Sequence, residues 1–203
     1  MPNLSIAASV FALIFIAEIP DKTMIATLIM GSRSRPALVW IGASLGFLLQ
    51  TVVAVGAGGL LLLLPHKALE IITSILFLGG AIYLLFVPEK SEIEKGEQQS
   101  ATEAQVQAQA QSPRKVIASA FIVIFLGEFG DLTQILTVNF VAKYHQALLV
   151  GFSAGAALVA VAGLGAFGGR ILLKVLPINV VRKTGGIVFL GMAAWSIYGL
   201  ITA

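Results

Sequence analysis

Four carboxylates in this chain stand where a carboxylate is costly. Glu18, Asp21, Glu128 and Asp131 lie inside two long apolar runs, Leu4 to Met30 and Val116 to Val141. The other six of the ten acidic residues are elsewhere: Glu89, Glu92, Glu94, Glu97 and Glu103 in a polar middle segment, and Glu70 near a helix end. An unpaired charge in hydrocarbon costs from about 2.5 kcal/mol upward, so the four need partners. A Glu and an Asp three positions apart lie about 60° apart around an α-helix, which predicts that each pair shares one helix face. Two such pairs facing each other cannot all remain ionised and empty; they take up protons or a cation. Oxygens that hold a divalent ion release it on protonation, and this is the physical basis for exchange. Hard oxygen donors suit calcium, magnesium or manganese, whereas copper and structural zinc favour Cys and His. The chain has no cysteine, and both histidines, His66 and His145, fall in expected loops and read as solvated.

The neighbours of the carboxylates fit the same chemistry. Thr23 and Thr133 place hydroxyls two residues beyond each Asp, and Gln134 supplies an amide oxygen where the first copy has Met24. These groups either complete a coordination shell or, for the threonines, bond back to their own helix. Pro20 has no N–H to offer the carbonyl of Ile16, and Gly130 loosens the equivalent turn, so each marks either an exposed carbonyl ligand or a packing kink. Lys22 is the one basic residue inside an acidic motif and is expected to neutralise part of the cluster; its counterpart is Leu132, so the half-sites are chemically unequal. Gln50, Ser44, Ser153 and Asn139 are polar residues in apolar runs, for which helix-to-helix hydrogen bonding is the default. Gly42 with Gly46, and Gly151 with Gly155, have the spacing that permits close helix approach.

The elements that carry these residues belong in lipid. Only 11% of the residues are charged, against about 25% in globular proteins. Apolar runs extend over Leu4 to Met30, Ala37 to Leu64, Ala68 to Val87, Val116 to Val141, Ala147 to Leu173 and Gly185 to Ile201, and most exceed the ~20 residues that cross a bilayer as a helix. The expected fold is therefore an all-α integral membrane protein of six transmembrane helices. No basic residue precedes the first run and no small-residue cleavage site ends it, so it reads as a retained helix and not as a signal peptide.

The chain also repeats itself. Ser9, Phe11, Phe15, Glu18, Asp21, Thr23 and Thr27 recur without gaps as Ser119, Phe121, Phe125, Glu128, Asp131, Thr133 and Thr137. Gly42, Ser44 and Gly46 match Gly151, Ser153 and Gly155, and FLGGA at Phe77 matches FLGMA at Phe189. This predicts a three-helix repeat at 1–87, a Gln- and Glu-rich disordered linker at 88–114, and a second three-helix repeat at 115–203. Three crossings per unit make the second enter from the opposite side, giving inverted-topology repeats with a site near the midplane. Ten Lys and Arg residues fall on the face that carries the linker and two, Lys67 and Lys143, on the other. The positive-inside bias then puts the linker in the cytoplasm and both termini outside. The basic residues are spread among loops, which excludes a nucleic-acid surface.

EIPDKT at Glu18 and EFGDLT at Glu128 resemble the paired E-x-G-D-[KR]-[ST] motifs of the Gdt-type family of cation/proton antiporters, in the lysine-exporter-like superfamily. The likeness covers essentially the whole chain. It implies a secondary transporter, not an enzyme, that exchanges Mn²⁺ or Ca²⁺ for protons and clears the cation from the cytoplasm, with no resident cofactor. By motif position, Glu18, Asp21, Glu128 and Asp131 would hold cation and proton, supported by Thr23 and Thr133. Pro20 in place of the first motif's Gly and Leu132 in place of the second motif's basic residue bear on selectivity and stoichiometry. The rival readings are a divalent cation channel, an amino-acid exporter and an intramembrane aspartyl hydrolase. A zwitterionic substrate needs fewer carboxylates, and a hydrolase leaves both glutamates unexplained. A bacterial inner membrane is the expected location, and a homo-oligomer is compatible with the sequence.

Overall fold

The computed structural model describes residues 2–19, 21–86, 112–129 and 131–175, with 183, 186, 187, 190, 191, 193, 194, 197, 198 and 201 from the last run. The described elements are helices: α1 (Pro2–Glu18), α2 (Lys22–Arg33), α3 (Pro36–Leu61), α4 (His66–Phe86), α5 (Pro113–Gly127), α6 (Leu132–Tyr144) and α7 (Ala147–Val175). No strand occurs among the described residues. The fold is all-α, as expected. Proline at the first turn of α3 and of α5 starts each helix without wasting a donor. His66 opens α4, which corrects its placement in a loop, whereas exposed His145 caps α6 in the left-handed region, φ 56°. α5 already begins at Pro113, inside the segment read as linker; most of that linker, 88–111, lies outside the described residues.

The two acidic runs are not continuous helices. α1 and α2 are bent by 69° at their junction, and α5 and α6 by 68°. The hydrogen bonds at the two breaks correspond. Asp21 N–H donates to the Glu18 carbonyl at 3.0 Å and Asp131 N–H to the Glu128 carbonyl at 3.2 Å, and helical bonding resumes from Ile25 to Asp21 and from Ile135 to Asp131. The first break follows from a proline that brings no N–H; Pro20 and Gly130 themselves lie outside the described residues. Glu and Asp of each motif therefore do not share a face of one helix. Each Glu ends one helix or caps it, and each Asp precedes the next.

α3 and residues 147–168 of α7 are each long and apolar enough to cross a membrane, and each bent pair qualifies when its helices are taken together. The described residues thus hold two crossings, or four if each bent pair is one. Burial is distributed as lipid demands. Large apolar side chains such as Val52, Leu126, Leu148 and Phe152 are exposed, while Glu18 and Glu128 are enclosed.

α3 and α7 form the centre and run antiparallel. Gly151 lies against Val55, Gly155 against Leu48 and Gly163 against Trp40, whose indole N–H reaches the Val159 carbonyl at 3.0 Å. α3 packs along α5 and α6, and α7 along α1 and α2. Each central helix thus embraces the broken pair of the other half. Further pairs also correspond on exchanging the halves: α2 on α3 with α6 on α7, and α1 on α6 with α5 on α2. Phe11 and Phe15 stack at 5.6 Å, as do their counterparts Phe121 and Phe125 at 5.7 Å. The core runs through Val10, Ile14, Phe47, Phe77, Leu136, Phe140 and Ala157.

The glycine spacing earns its place unequally. At Gly42 an added methyl would overlap the Ile117 carbonyl and sit 2.8 Å from the Ala120 Cβ, and at Gly46 it would meet the Phe121 carbonyl at 3.0 Å. These are backbone contacts of α5. Gly151 and Gly155 face only side-chain ends of α3. Gly42→Leu should therefore lower the unfolding midpoint in detergent, at a cost of about 1–3 kcal/mol for overpacking. Gly59→Ala adds a methyl that meets nothing within 4 Å and should stay within about 0.5 kcal/mol of the parent in the same melt.

Candidate cation site

The two helix breaks meet between the central helices and bring the acidic motifs together. One carboxylate oxygen from each of Glu18, Asp21 and Glu128 lies within 4.8 Å of the other two, and all three residues are buried. Oxygens at this spacing fit the ligand shell of a hard divalent cation, whose ligand distances are about 2.0–2.6 Å. Asp131 does not join them. Its Oδ1 takes the Lys22 ammonium at 2.7 Å, while that ammonium stands 4.0 Å from Asp21 Oδ2. The expected convergence of four carboxylates thus resolves into three carboxylates and an ion pair that crosses between the halves. Leu132 allows this, because no second lysine reaches back to Asp21.

Each glutamate is held by its own half. Thr23 donates its hydroxyl to Glu18 Oε1, and Thr133 donates to Glu128 Oε2 at 3.3 Å. The threonines neither bond back along their helices nor stand free as ligands; they clamp the glutamate five residues earlier across the break. The turn-to-turn bonding considered for them occurs one turn later, from Thr27 to the Met24 carbonyl and from Thr137 to the Thr133 carbonyl, both at 2.8 Å. The remaining oxygens, Glu18 Oε2 and Glu128 Oε1, are buried with no hydrogen-bond partner among the described residues. A buried carboxylate oxygen left without a donor is the atom a cation or proton would satisfy.

The aspartates occupy the N-cap positions of α2 and α6 in nearly the same extended conformation, φ −85° and ψ 163° for Asp21, φ −77° and ψ 164° for Asp131. Neither side chain caps its own helix. The positive ends of both helices point toward the acidic centre, a favourable field for carboxylates in a medium without water.

Of the polar residues assigned to helix contacts, only Gln50 has that role among the described residues. Its Nε2 donates to the Phe125 carbonyl at 2.6 Å, and its Oε1 accepts from Gln134 Nε2 at 2.8 Å. Ser153 bonds back to Leu149, and Ser44 Oγ and both polar atoms of Asn139 have no partner among the described residues. Gln134 lies near Glu128 and donates to Gln50. Gln50 is the residue whose place at the site the sequence reading did not anticipate: it lines a small cavity together with Glu128, Thr133 and Gln134. An amide in an otherwise apolar run was the available signal.

Comparisons with known proteins show the family of the chain. The sequence model of one family, described as divalent cation/proton antiporter GDT1, matches the chain twice, over residues 6–92 and 116–202. GDT1-like protein 3 of Oryza sativa subsp. indica is 27% identical over 200 residues, covering 92% of this chain and 71% of its own. GDT1-like protein 3 of Arabidopsis thaliana is 26% identical over 204 residues, covering 94% and 69%. GDT1-like protein 4 of Oryza sativa subsp. indica is 24% identical over 202 residues, covering 92% and 71%. No solved structure matches the chain. With each matched segment containing one acidic break and the two together covering most of its length, the chain belongs to the GDT1 family of divalent cation/proton antiporters.

Proposed function

We propose that the chain exports Mn²⁺ or Ca²⁺ from the cytoplasm in exchange for protons, through a site formed by Glu18, Asp21 and Glu128. The observation that carries this reading is the buried trio with two orphaned glutamate oxygens. A passive channel needs a continuous polar path, whereas α2 packs tightly on α7 where Gly31 meets the Ala166 backbone, and α3 on α6 where a methyl at Gly58 would lie 2.7 Å from the Val141 Cβ. An amino-acid exporter would need a carboxylate-binding group as well, and the one cation at the centre among the described residues, Lys22, is already engaged by Asp131. The plant relatives lend no support to a bacterial membrane in particular.

Six crossings in two inverted repeats are part of this proposal. One family model matching each half, antiparallel α3 and α7, and the reciprocal embrace of the broken pairs support it. Exchange then proceeds by rocking of one half against the other, which opens the α2–α7 and α3–α6 contacts in turn. In this reading the linker and the α2–α3 turn are cytoplasmic, which the positive-inside bias of the basic loops supports.

Charge counting suggests a stoichiometry. With Asp131 neutralised by Lys22, three carboxylates remain. Three protons neutralise them; a divalent ion with one retained proton does the same. One ion then exchanges for two protons with no net charge moved.

Uptake of Mn²⁺ and Ca²⁺ into proteoliposomes should follow an imposed pH gradient and ignore a membrane potential clamped with potassium and valinomycin. Glu18→Gln and Glu128→Gln should each reduce that uptake to the protein-free background while eluting as folded protein; exchange retained in both would remove the proposed site. Cation binding to the purified protein should weaken as pH falls, because protons compete for the same oxygens. Lys22→Leu frees Asp131 as a fourth carboxylate and should tighten Mn²⁺ binding by about tenfold, roughly 1.4 kcal/mol. Weaker binding in a calorimetric titration would instead show that the lysine holds the site's geometry.

A further inference from the structure

We propose that Gln50 is a specificity-determining residue for the transported cation, lining with Gln134 a neutral vestibule where the ion exchanges water for amide and hydroxyl oxygens beside Glu128. The inference rests on the cation-transport reading above and adds a second, uncharged station to it. The vestibule is a cavity between α3, α6 and α7 with room for about one water-sized sphere, ≈ 10 Å³. Its polar lining comes from Gln50, Thr51, Glu128, Thr133, Gln134 and Thr137.

One N–H of each amide and every threonine hydroxyl of this lining goes to a protein oxygen. Gln50 Nε2 gives to the Phe125 carbonyl and Gln134 Nε2 to Gln50 Oε1. The Thr51 hydroxyl gives to the Phe47 carbonyl at 2.8 Å, the Thr137 hydroxyl to the Thr133 carbonyl, and the Thr133 hydroxyl to Glu128. Besides the second amide hydrogens, the lining offers an occupant lone pairs, on Gln50 Oε1, on the threonine hydroxyls and on Glu128 Oε1, which is buried with no hydrogen-bond partner among the described residues. An acceptor-rich wall with a carboxylate at its end accommodates a cation and rejects an anion. Amide carbonyls are common calcium ligands and less favoured by smaller ions that keep their water, so such a station discriminates among divalent ions by their hydration.

The polar lining belongs to one half only. In the registers of the repeated segments, Gln50 corresponds to Val159, Thr51 to Ala160 and Gln134 to Met24, all without an amide or hydroxyl. On that side α7 comes close to α2 at Gly165, where an added methyl would meet the Met24 carbonyl at 3.0 Å and overlap the Thr27 hydroxyl. The vestibule is bounded by Glu128 at one end and, toward the C-terminal ends of α3 and α6, by the contact of Gly58 with Val138 and Val141. An ion held between them has shed bulk water before it meets the carboxylate trio.

The rival explanation is that Gln50 merely pins α3 to α5 and α6. Full-length protein in proteoliposomes under a pH gradient separates the two, using Gln50→Val and Gln134→Met, which install the residues of the other half, and Gln50→Asn. Both apolar variants should raise KM for Mn²⁺ and Ca²⁺ by about tenfold, with a smaller change in maximal rate. They should also alter the order of preference among Mn²⁺, Ca²⁺ and Mg²⁺, and Gln50→Asn should restore part of that order. Unaltered KM and preference in monodisperse variants overturn the proposal. So does a uniform fall in rate for all three ions with a lowered unfolding midpoint, since a structural pin acts on every ion alike. Parent protein that shows no gradient-driven uptake would overturn the antiport reading itself, a result visible before any variant is compared.

Discussion

Two glutamates held out of water inside a lipid-facing bundle set the terms for everything else in this protein. Glu18 and Glu128 are 0% and 2% exposed, and an isolated carboxylate in such surroundings would carry a desolvation cost of several kcal/mol. The structure spreads the compensation over several short-range devices. A threonine hydroxyl reaches each glutamate, a lysine neutralises the neighbouring aspartate, and two helix N-termini direct their unsatisfied N–H groups at the centre. The compensation is deliberately incomplete: one oxygen of each glutamate keeps no hydrogen-bond partner among the described residues. A fully satisfied centre would have no reason to bind anything.

The helix breaks make this possible. In a continuous helix the N–H groups of residues 22–24 would be consumed by carbonyls of the preceding turn, leaving no positive end beside the carboxylates. Bending each acidic run by nearly 70° turns one apolar run into two half-helices and sets a glutamate and an aspartate on either side of the corner between them. The cost is a gap in backbone bonding within the bilayer, and the chain limits it by keeping that gap between the central helices α3 and α7 and away from lipid. Glycines let those helices approach: α3 comes close enough to α5 at Gly42 that a side chain there has no room.

Duplication supplied two similar halves, and the differences between them are as informative as the likeness. Lys22 against Leu132 turns four carboxylates into three and an ion pair, and Gln134 against Met24, with Gln50 against Val159, gives one half an amide-lined cavity where the other has apolar side chains at the same positions. A symmetric site would present the same affinity to both sides of the membrane. These substitutions give the two approaches different chemistry, which suits a transporter that must take up an ion on one side and release it on the other.

The residues themselves determined much of this account. Apolar runs with buried acidic pairs specify an all-helical membrane protein, because hydrocarbon leaves no other way to satisfy a backbone, and the repeated Glu-x-x-Asp segments mark both the duplication and the chemistry. Thr23 and Thr133 stood out by position, though their role did not, since a hydroxyl five residues from a glutamate reaches it only when the helix between them is broken. Tertiary structure alone decided which carboxylate would be withdrawn from the cluster. Lys22 could have paired with Asp21 beside it, and its choice of Asp131, 109 positions away, depends on how the two breaks meet. It alone also decided that Gln50 faces Glu128, because an amide's partners in a bundle are set by helix packing and rotation, and these are properties of the assembled bundle that no single run of sequence contains.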